Sequence, residues 1–424
     1  MEAKLRDRLI RYWRILGPGL VTGAADDDPS GIATYSQTGA AYGIQLLWMS
    51  LFALPMAIVV QEMCARIGMV TGRGLAENIR HAFPRSILYV CVALLFAANT
   101  FNIAADISAM ASGIKLLIPG VSFIAIVIVF ALISLWLQIF LSYPLYAQYL
   151  KILALVLLSY VATGLLIHMD WGSLLAHTII PSMTFSRDQI FLVCAILGTT
   201  ISPYLFFWQT SQEVEEEVEE GRTSIRARRG TNDTEIKDMR IDVVSGMFFS
   251  ELVMFFIIAV CASTLFTHGI TNIGTAADAA AALRPLAGNW AYLLFALGII
   301  GTGLLSIPVL AGSSAYALAE TFHWHEGLSK KMRQAHGFYG VIIVSMIIAI
   351  GIDLLGINPI KALIWSAVGN GIVAPVILFF IMRLAGDKKV MGHRTNKPST
   401  SFVGWLITGF MAVSGIAAVV SMFV

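Results

Sequence analysis

Apolar runs long enough to cross a lipid bilayer recur along this chain, and they leave few folds open to it. A bilayer core requires about 20 apolar residues per helix. Eleven segments reach that scale, near 16–42, 44–65, 87–113, 122–142, 149–168, 189–212, 241–266, 289–318, 335–352, 360–382 and 402–423. Of 424 residues, 57% are apolar and 13% charged, so a water-soluble particle would lack polar surface to cover its core. The expectation is an all-α integral membrane protein whose principal surroundings are the lipid bilayer. A net charge of +2, with basic residues scattered among loops, excludes nucleic acid as a partner class. Cys64, Cys91, Cys194 and Cys261 all fall inside apolar runs without metal-ligand or disulfide spacing.

Charge sets the orientation. Read with the N-terminus inside, 24 of the 28 Lys and Arg fall in cytoplasmic segments; Lys115, Arg187, Arg284 and Lys361 are the four outside. This asymmetry predicts an N-terminus inside and a C-terminus outside. Residues 1–14, with Lys4, Arg6, Arg8, Arg11 and Arg14, read as a basic cytosolic lead-in without the apolar stretch or cleavage site of a signal peptide. Compact loops point to a bacterial plasma membrane, and a monomer is expected. Trp13, Trp171, Trp290 and Trp405 stand near span ends, as interfacial anchors do. The charged stretch 213–240 reads as a solvated cytosolic connector, and Ala-rich 274–287, ending near Pro285, as a short surface helix.

The informative positions are the helix breakers inside spans. The first span reads Gly23-Ala24-Ala25-Asp26-Asp27-Asp28-Pro29-Ser30-Gly31, and the sixth reads Gly198-Thr199-Thr200-Ile201-Ser202-Pro203-Tyr204. Proline lacks an N–H and disfavours helix at the residue before it. Each helix is therefore expected to break there, freeing carbonyls at membrane depth, where irregular backbone survives only when buried in protein or lining a cavity. One kinked span would be unremarkable. Paired breaks in spans one and six mark a transport site between two five-span halves.

A carboxylate at the first break points to a cation. Asp28 is the expected ligand, joined by Thr199, Ser202 and backbone oxygens near Ala25 and Gly31. Such an all-oxygen set suits a hard divalent ion. Successive helical side chains diverge by about 100°, so Asp26 and Asp27 are expected to be vestibule or hydrogen-bonded groups. Asn99, Asn102 and Asp106 share one helical face, either as an interhelical seam or as a polar lining of the ion path. Glu251 is a lone carboxylate in the seventh span, read as hydrogen-bonded or as a second acid near the path. Gln209, Gln212 and Glu213 follow the sixth-span break, lining a cytosolic exit or forming a solvated helix end. His323, His325 and His336 read as surface residues, and Gly298, Gly301 and Gly303 as packing positions.

At these motifs the chain resembles the Nramp family of divalent-metal transporters. Gly17-Pro18-Gly19 with Asp28-Pro29-Ser30-Gly31 resembles the family's first-helix pattern, and Thr199-Thr200-Ile201-Ser202-Pro203-Tyr204 its sixth. The stretch Gln61–Leu75, with Arg66, Gly68 and Val70-Thr71-Gly72-Arg73, resembles its second helix and following loop. The resemblance runs from about residue 15 to 420. It implies a leucine-transporter-like fold: two inverted five-helix repeats, about 15–168 and 189–382, and an eleventh helix at about 402–423, in one transporter domain 15–424. By the same resemblance Asp28 matches the family's metal-binding Asp. Gly31 stands where the family has Asn, Ser202 where it has Met, Tyr204 where it has His, and Ala109 where it has a second acid after Asp106. Ala367 stands at the tenth-helix Gln, with Asn370 nearby.

Loss of the thioether and amide leaves a wider, harder site, and loss of His and Glu removes groups the family uses for proton passage. This pattern resembles the Nramp-related magnesium transporters. It implies uptake of Mg²⁺, and also Mn²⁺, by alternating access without obligatory proton coupling, the ion being substrate rather than bound cofactor. The rival readings are a proton-coupled Mn²⁺/Fe²⁺ importer and an organic-solute carrier of the same fold. No nucleophile–base pair points to an enzyme, and the acidic 213–220 run is the only hint of a metal sensor.

Overall fold

The computed structural model describes residues 12–13, 15–141, 157–284 and 288–423. The basic lead-in with Arg14, the loop residue Lys151 and Pro285 lie outside the described residues. Helices account for nearly all of the rest. In chain order they are α1 (Pro18–Asp26), α2 (Pro29–Tyr42), α3 (Trp48–Thr71), α4 (Leu75–Ala82), α5 (Arg85–Leu117), α6 (Phe123–Phe140), α7 (Leu158–Leu166) and α8 (Trp171–Ile179). There follow α9 (Arg187–Thr200), α10 (Pro203–Glu219), α11 (Asp233–Thr264), α12 (Ala276–Ala281), α13 (Ala291–Phe322), α14 (His336–Asp353), α15 (Pro359–Gly386) and α16 (Pro398–Ser421). Among the described residues nine helical segments are long and apolar enough to span a membrane, α9 and α10 together forming one. The first expected span is two short halves, α1 and α2, and the opening part of the fifth, 149–156, lies outside the described residues.

Helix α2 packs on α11 as α10 packs on α3, and α5 crosses α13. That exchange of partners is what two halves with repeated helix order produce. Without a hydrophobic drive between helices in lipid, close backbone approach holds them together, and small residues permit it. A Cβ on Gly23 of α1 would lie 2.2 Å from the Gly246 carbonyl oxygen of α11, and one on Gly198 of α9 2.0 Å from the Ala367 carbonyl oxygen of α15. A Cβ on Gly303 of α13 would instead meet the Met110 side chain of α5. Trp13, Trp171, Trp290 and Trp405 are all exposed, Trp405 two turns inside α16.

The connector reading of 213–240 needs correction. Glu213, Glu215 and Glu217 lie on α10 and are buried, while residues 233–240 already belong to α11. An Asn232–Glu235 capping box starts α11: the Asn232 side chain accepts from the Thr234 and Glu235 N–H groups, and Glu235 accepts from the Asn232 N–H at 3.0 Å. Only the stretch between α10 and α11 is a connector, holding one short helical turn at Ile225–Arg228, and Arg222 ties it down with ion pairs to Glu217, Glu220 and Glu235. The Ala-rich stretch forms α12, but Ala276, Ala279 and Ala280 are buried rather than at the surface.

Candidate metal centre

Both breaks fall at the expected prolines. Between α1 and α2, Asp27 (φ −85°, ψ 50°) and Asp28 (φ −67°, ψ 172°) leave helical geometry; between α9 and α10, Ile201 (φ −121°, ψ 61°) and Ser202 (φ −81°, ψ 141°) do so. The carbonyl four residues before each proline loses its usual N–H partner. These carbonyls belong to Ala25 and Thr199, and a side-chain hydroxyl satisfies each. Tyr204 donates its hydroxyl to the Ala25 oxygen at 2.9 Å, and Ser202 donates to the Thr199 oxygen at 2.8 Å and to Gly198 at 2.5 Å. Tyr204 thus ties one broken helix to the other.

Asp28 is the N-cap of α2. Its Oδ1 accepts from the Gly31 N–H at 2.7 Å and the Ser30 hydroxyl at 2.6 Å, and its Oδ2 from the Asn102 amide at 2.9 Å. The Thr199 hydroxyl approaches Oδ1 at 3.5 Å. A carboxylate at a helix N-terminus is held by orphan N–H groups and by the helix dipole. Gly31 is the third residue of α2, so its N–H, not a freed carbonyl, faces Asp28. Its missing Cβ would lie 3.1 Å from the Thr199 hydroxyl and 3.2 Å from the Asp26 carbonyl oxygen. The network continues outward: the Asn102 Oδ1 accepts from Ser366 at 2.8 Å, and Asn370 lies one turn further along α15, buried and without a hydrogen-bond partner among the described residues. Asn99 donates across to Leu310, Ser313 and Ser314 of α13, an interhelical seam, while Asp106 accepts from Ser306 at 2.7 Å.

The three aspartates diverge. Asp26 turns to α11, where the Ser250 hydroxyl donates to it at 2.6 Å. Both Asp27 oxygens are buried beside Asp26 and Ser250, and among the described residues the Glu251 oxygens have no hydrogen-bond partner, correcting the reading of Glu251 as hydrogen-bonded. Among the described residues no three His, Cys, Asp or Glu side chains converge as a metal cage. The groups gathered around the Asp28 carboxylate are the Asn102 amide, the Gly31 N–H and the hydroxyls of Ser30 and Thr199. Asp28, Ser202 and Tyr204 are completely buried and Thr199 is 1% exposed, so the site is occluded from both faces.

Two features at the N-terminal end of α1 were not anticipated. Asp242 of α11 caps the start of α1, accepting from the N–H groups of Gly17 (2.9 Å), Gly19 (2.6 Å) and Leu20 (3.0 Å). Thr22 of α1 donates to Gln209 of α10 at 2.5 Å, and Gln209 donates to Glu213 at 2.8 Å. Gln209, Gln212 and Glu213 are buried along α1, not solvated. An acid at the very start of an apolar span was the sequence cue to Asp242. His325 and His336 are exposed, and a His323 ring nitrogen hydrogen-bonds the Arg80 guanidinium, away from the breaks.

Comparison with known proteins places the family and the fold. The curated divalent metal cation transporter MntH of Aeromonas hydrophila is 27% identical over 405 residues, 94% of this chain and 93% of that protein. MntH of Pectobacterium carotovorum is 28% identical over 401 residues, 93% of this chain and 90% of that protein. Among solved structures, a manganese transporter of Eremococcus coleocola superposes with a TM-score of 0.74 at 17% identity, covering 94% of this chain and 85% of that one. MhsT, solved with L-phenylalanine, matches with a TM-score of 0.57 at 11% identity over 95% and 98% of the two chains. The fold is therefore the leucine-transporter-like one of two inverted repeats. The family model for natural resistance-associated macrophage protein-like sequences matches residues 19–421, nearly the whole chain, which belongs to the Nramp family.

Proposed function

We propose that this chain carries divalent metal cations across a membrane by alternating access, with Mg²⁺ as preferred cargo and Mn²⁺ accepted. The observation that carries the reading is Asp28: a carboxylate held at the start of α2, between two proline-broken helices, by a backbone N–H, an amide and hydroxyl groups. Its charge attracts the ion. The lone pairs of Thr199 and Ser202 meet the ion or its retained waters, the Asn102 amide holds the Asp28 carboxylate in place, and the backbone around Ala25 and Gly31 shapes the space. Mg²⁺ dehydrates reluctantly and is held by one or two carboxylates plus water, which this set can offer. Asp26, Asp27, Asp106, Glu251 and Asn370 line the surroundings rather than the first ring of contacts.

A second reading has its own support. The relatives named above are divalent metal cation transporters, and the superposed Eremococcus protein is a manganese transporter. Against a softer cargo stands Ser202, where a thioether would favour transition metals. Tyr204 and Ala109 offer no imidazole or carboxylate for proton passage, which supports transport without obligatory proton coupling. The Lys/Arg asymmetry supports an N-terminus inside a bacterial plasma membrane and a C-terminus outside. The chain is read as one transporter domain working as a monomer, with repeats at about 15–168 and 189–382.

Opening toward the cytosol requires α1 to part from α11 and α10, breaking the Asp242 cap and the Thr22–Gln209 bond. The test is uptake by proteoliposomes holding a trapped Mg²⁺ indicator and, in a parallel set, a pH dye, with Mn²⁺ as competitor. Saturable Mg²⁺ entry without matched acidification supports the reading. Mn²⁺ entry with acidification and no Mg²⁺ entry replaces it with the proton-coupled importer.

A further inference from the structure

A second charged cavity lies away from the metal centre. It occupies roughly 530 Å³ where the end of α3, the start of α11, the 393–397 segment and the start of α16 meet. Four cationic side chains line it: Arg66, Arg240, Arg394 and Lys397. One lining carboxylate, Glu62, opposes them, and it is shared: Arg240 binds it at 2.8 and 3.0 Å, and Arg66 at 3.2 Å. Arg66 also donates to the Arg394 carbonyl and the Asn396 side chain, so its guanidinium is fixed in the wall. Arg394 pairs with Asp233 at 2.6 Å, and its Nε is buried without a hydrogen-bond partner. Lys397 has no ion pair among the described residues. The first turn of α16 has no side-chain cap and adds the Thr400 hydroxyl, a further attraction for an anion. The cavity therefore carries surplus positive charge.

Its remaining wall is apolar. Ile58 and Val59 of α3 and Ile236 and Val244 of α11 line it. Val244 is 43% exposed and Phe248, one turn deeper, 55%, so this flank faces hydrocarbon rather than water. A cationic rim above an apolar, lipid-facing floor, at the end of three spans, matches a phospholipid with a phosphate head and acyl tails. Basic pockets between transmembrane helices bind such headgroups. A free phosphate would use the rim but gain nothing from the floor.

We propose that this cavity binds an anionic phospholipid, its phosphate between Arg240, Lys397 and the start of α16 and its acyl chains along Val59 and Val244. The binding site is independent of the transported ion. Arg240 lies two residues before Asp242, on a different face of the same helical turn, so the lipid abuts the element that caps α1.

The test is native mass spectrometry of the full-length, delipidated protein in detergent, titrated with phosphatidylglycerol or with phosphatidylcholine of the same acyl chains. Phosphatidylglycerol is expected to bind at least tenfold more tightly. Arg240→Gln with Lys397→Gln should weaken it roughly 30-fold, at about fivefold per basic group near a lipid surface. Lys397→Gln alone, which disturbs no ion pair, should weaken it about fivefold. Val244→Trp, which fills the floor and leaves all charges in place, should weaken it as well. Equal binding of the two lipids, or phosphatidylglycerol binding that Lys397→Gln and Val244→Trp both leave intact, overturns the proposal. Full displacement of the lipid by millimolar inorganic phosphate overturns the lipid assignment in favour of a soluble anion.

Discussion

Replacing Asp242 by Asn isolates the contact that holds α1 in place. The carboxylate accepts three backbone N–H groups at the start of α1, two on Oδ1 and one on Oδ2, and is 2% exposed. Asn keeps the volume but turns one acceptor into a donor facing an N–H, and removes the charge from the helix terminus. A lost hydrogen bond to a charged group costs about 1.5–3 kcal/mol. Loss of the charge–dipole attraction adds about 1 kcal/mol. The docked arrangement should therefore weaken by about 2–4 kcal/mol, raising a minor undocked population roughly 30-fold or more. Thr22→Cys reports this, because Thr22 is fully buried on α1 against Gln209. The four native cysteines are buried and give a low background. In inside-out vesicles, an impermeant maleimide should label Thr22→Cys at least tenfold faster in the Asp242→Asn background. Labelling within twofold of the parent would refute the view that Asp242 holds α1 closed.

Three further outcomes follow from the same geometry. Tyr204→Phe removes the donor to the Ala25 carbonyl, which Pro29 cannot replace; leaving that buried oxygen unpaired should cost about 1–3 kcal/mol, read as a lower thermal midpoint in detergent, and an unchanged midpoint would count against the bond's role. Ser202→Met places a soft thioether beside Asp28 and should raise Mn²⁺ over Mg²⁺ preference about tenfold or more in competition uptake; an unchanged ratio would remove Ser202 from the site. Gly23→Ala puts a Cβ 2.2 Å from the Gly246 carbonyl oxygen, backbone against backbone, so folded yield by fluorescence-detected size exclusion should fall sharply, and a wild-type profile would contradict the packing.

The outline of the molecule was legible because lipid restricts the solutions. Span length, the two proline breaks and the charge asymmetry each follow from local sequence. The orphaned carbonyls were also foreseeable, since proline at 29 or 203 denies an N–H to residue 25 or 199. Which hydroxyl would fill each vacancy was not: Tyr204 reaches Ala25 across 179 positions of sequence. The Asp242 cap is equally remote from α1. Run 213–220 misled because dense acid reads as solvated, whereas helix continuity carries Glu213, Glu215 and Glu217 into the interior, Glu213 beside α3 and Glu215 beside α13. A cue to the true loop end was present in Asn232-Asp233-Thr234-Glu235, a capping-box sequence. Glu251 shows the opposite limit, because a buried carboxylate with no hydrogen-bond partner among the described residues cannot be inferred from spacing.

The central claim is that a divalent cation binds at Asp28 between the broken helices. Its most direct test is Mg²⁺ and Mn²⁺ uptake by proteoliposomes containing wild type or Asp28→Ala, each confirmed monodisperse before reconstitution. The account predicts saturable entry of a divalent ion for the wild type and none above protein-free vesicles for Asp28→Ala. Uptake by the variant at a wild-type rate and concentration dependence would contradict it.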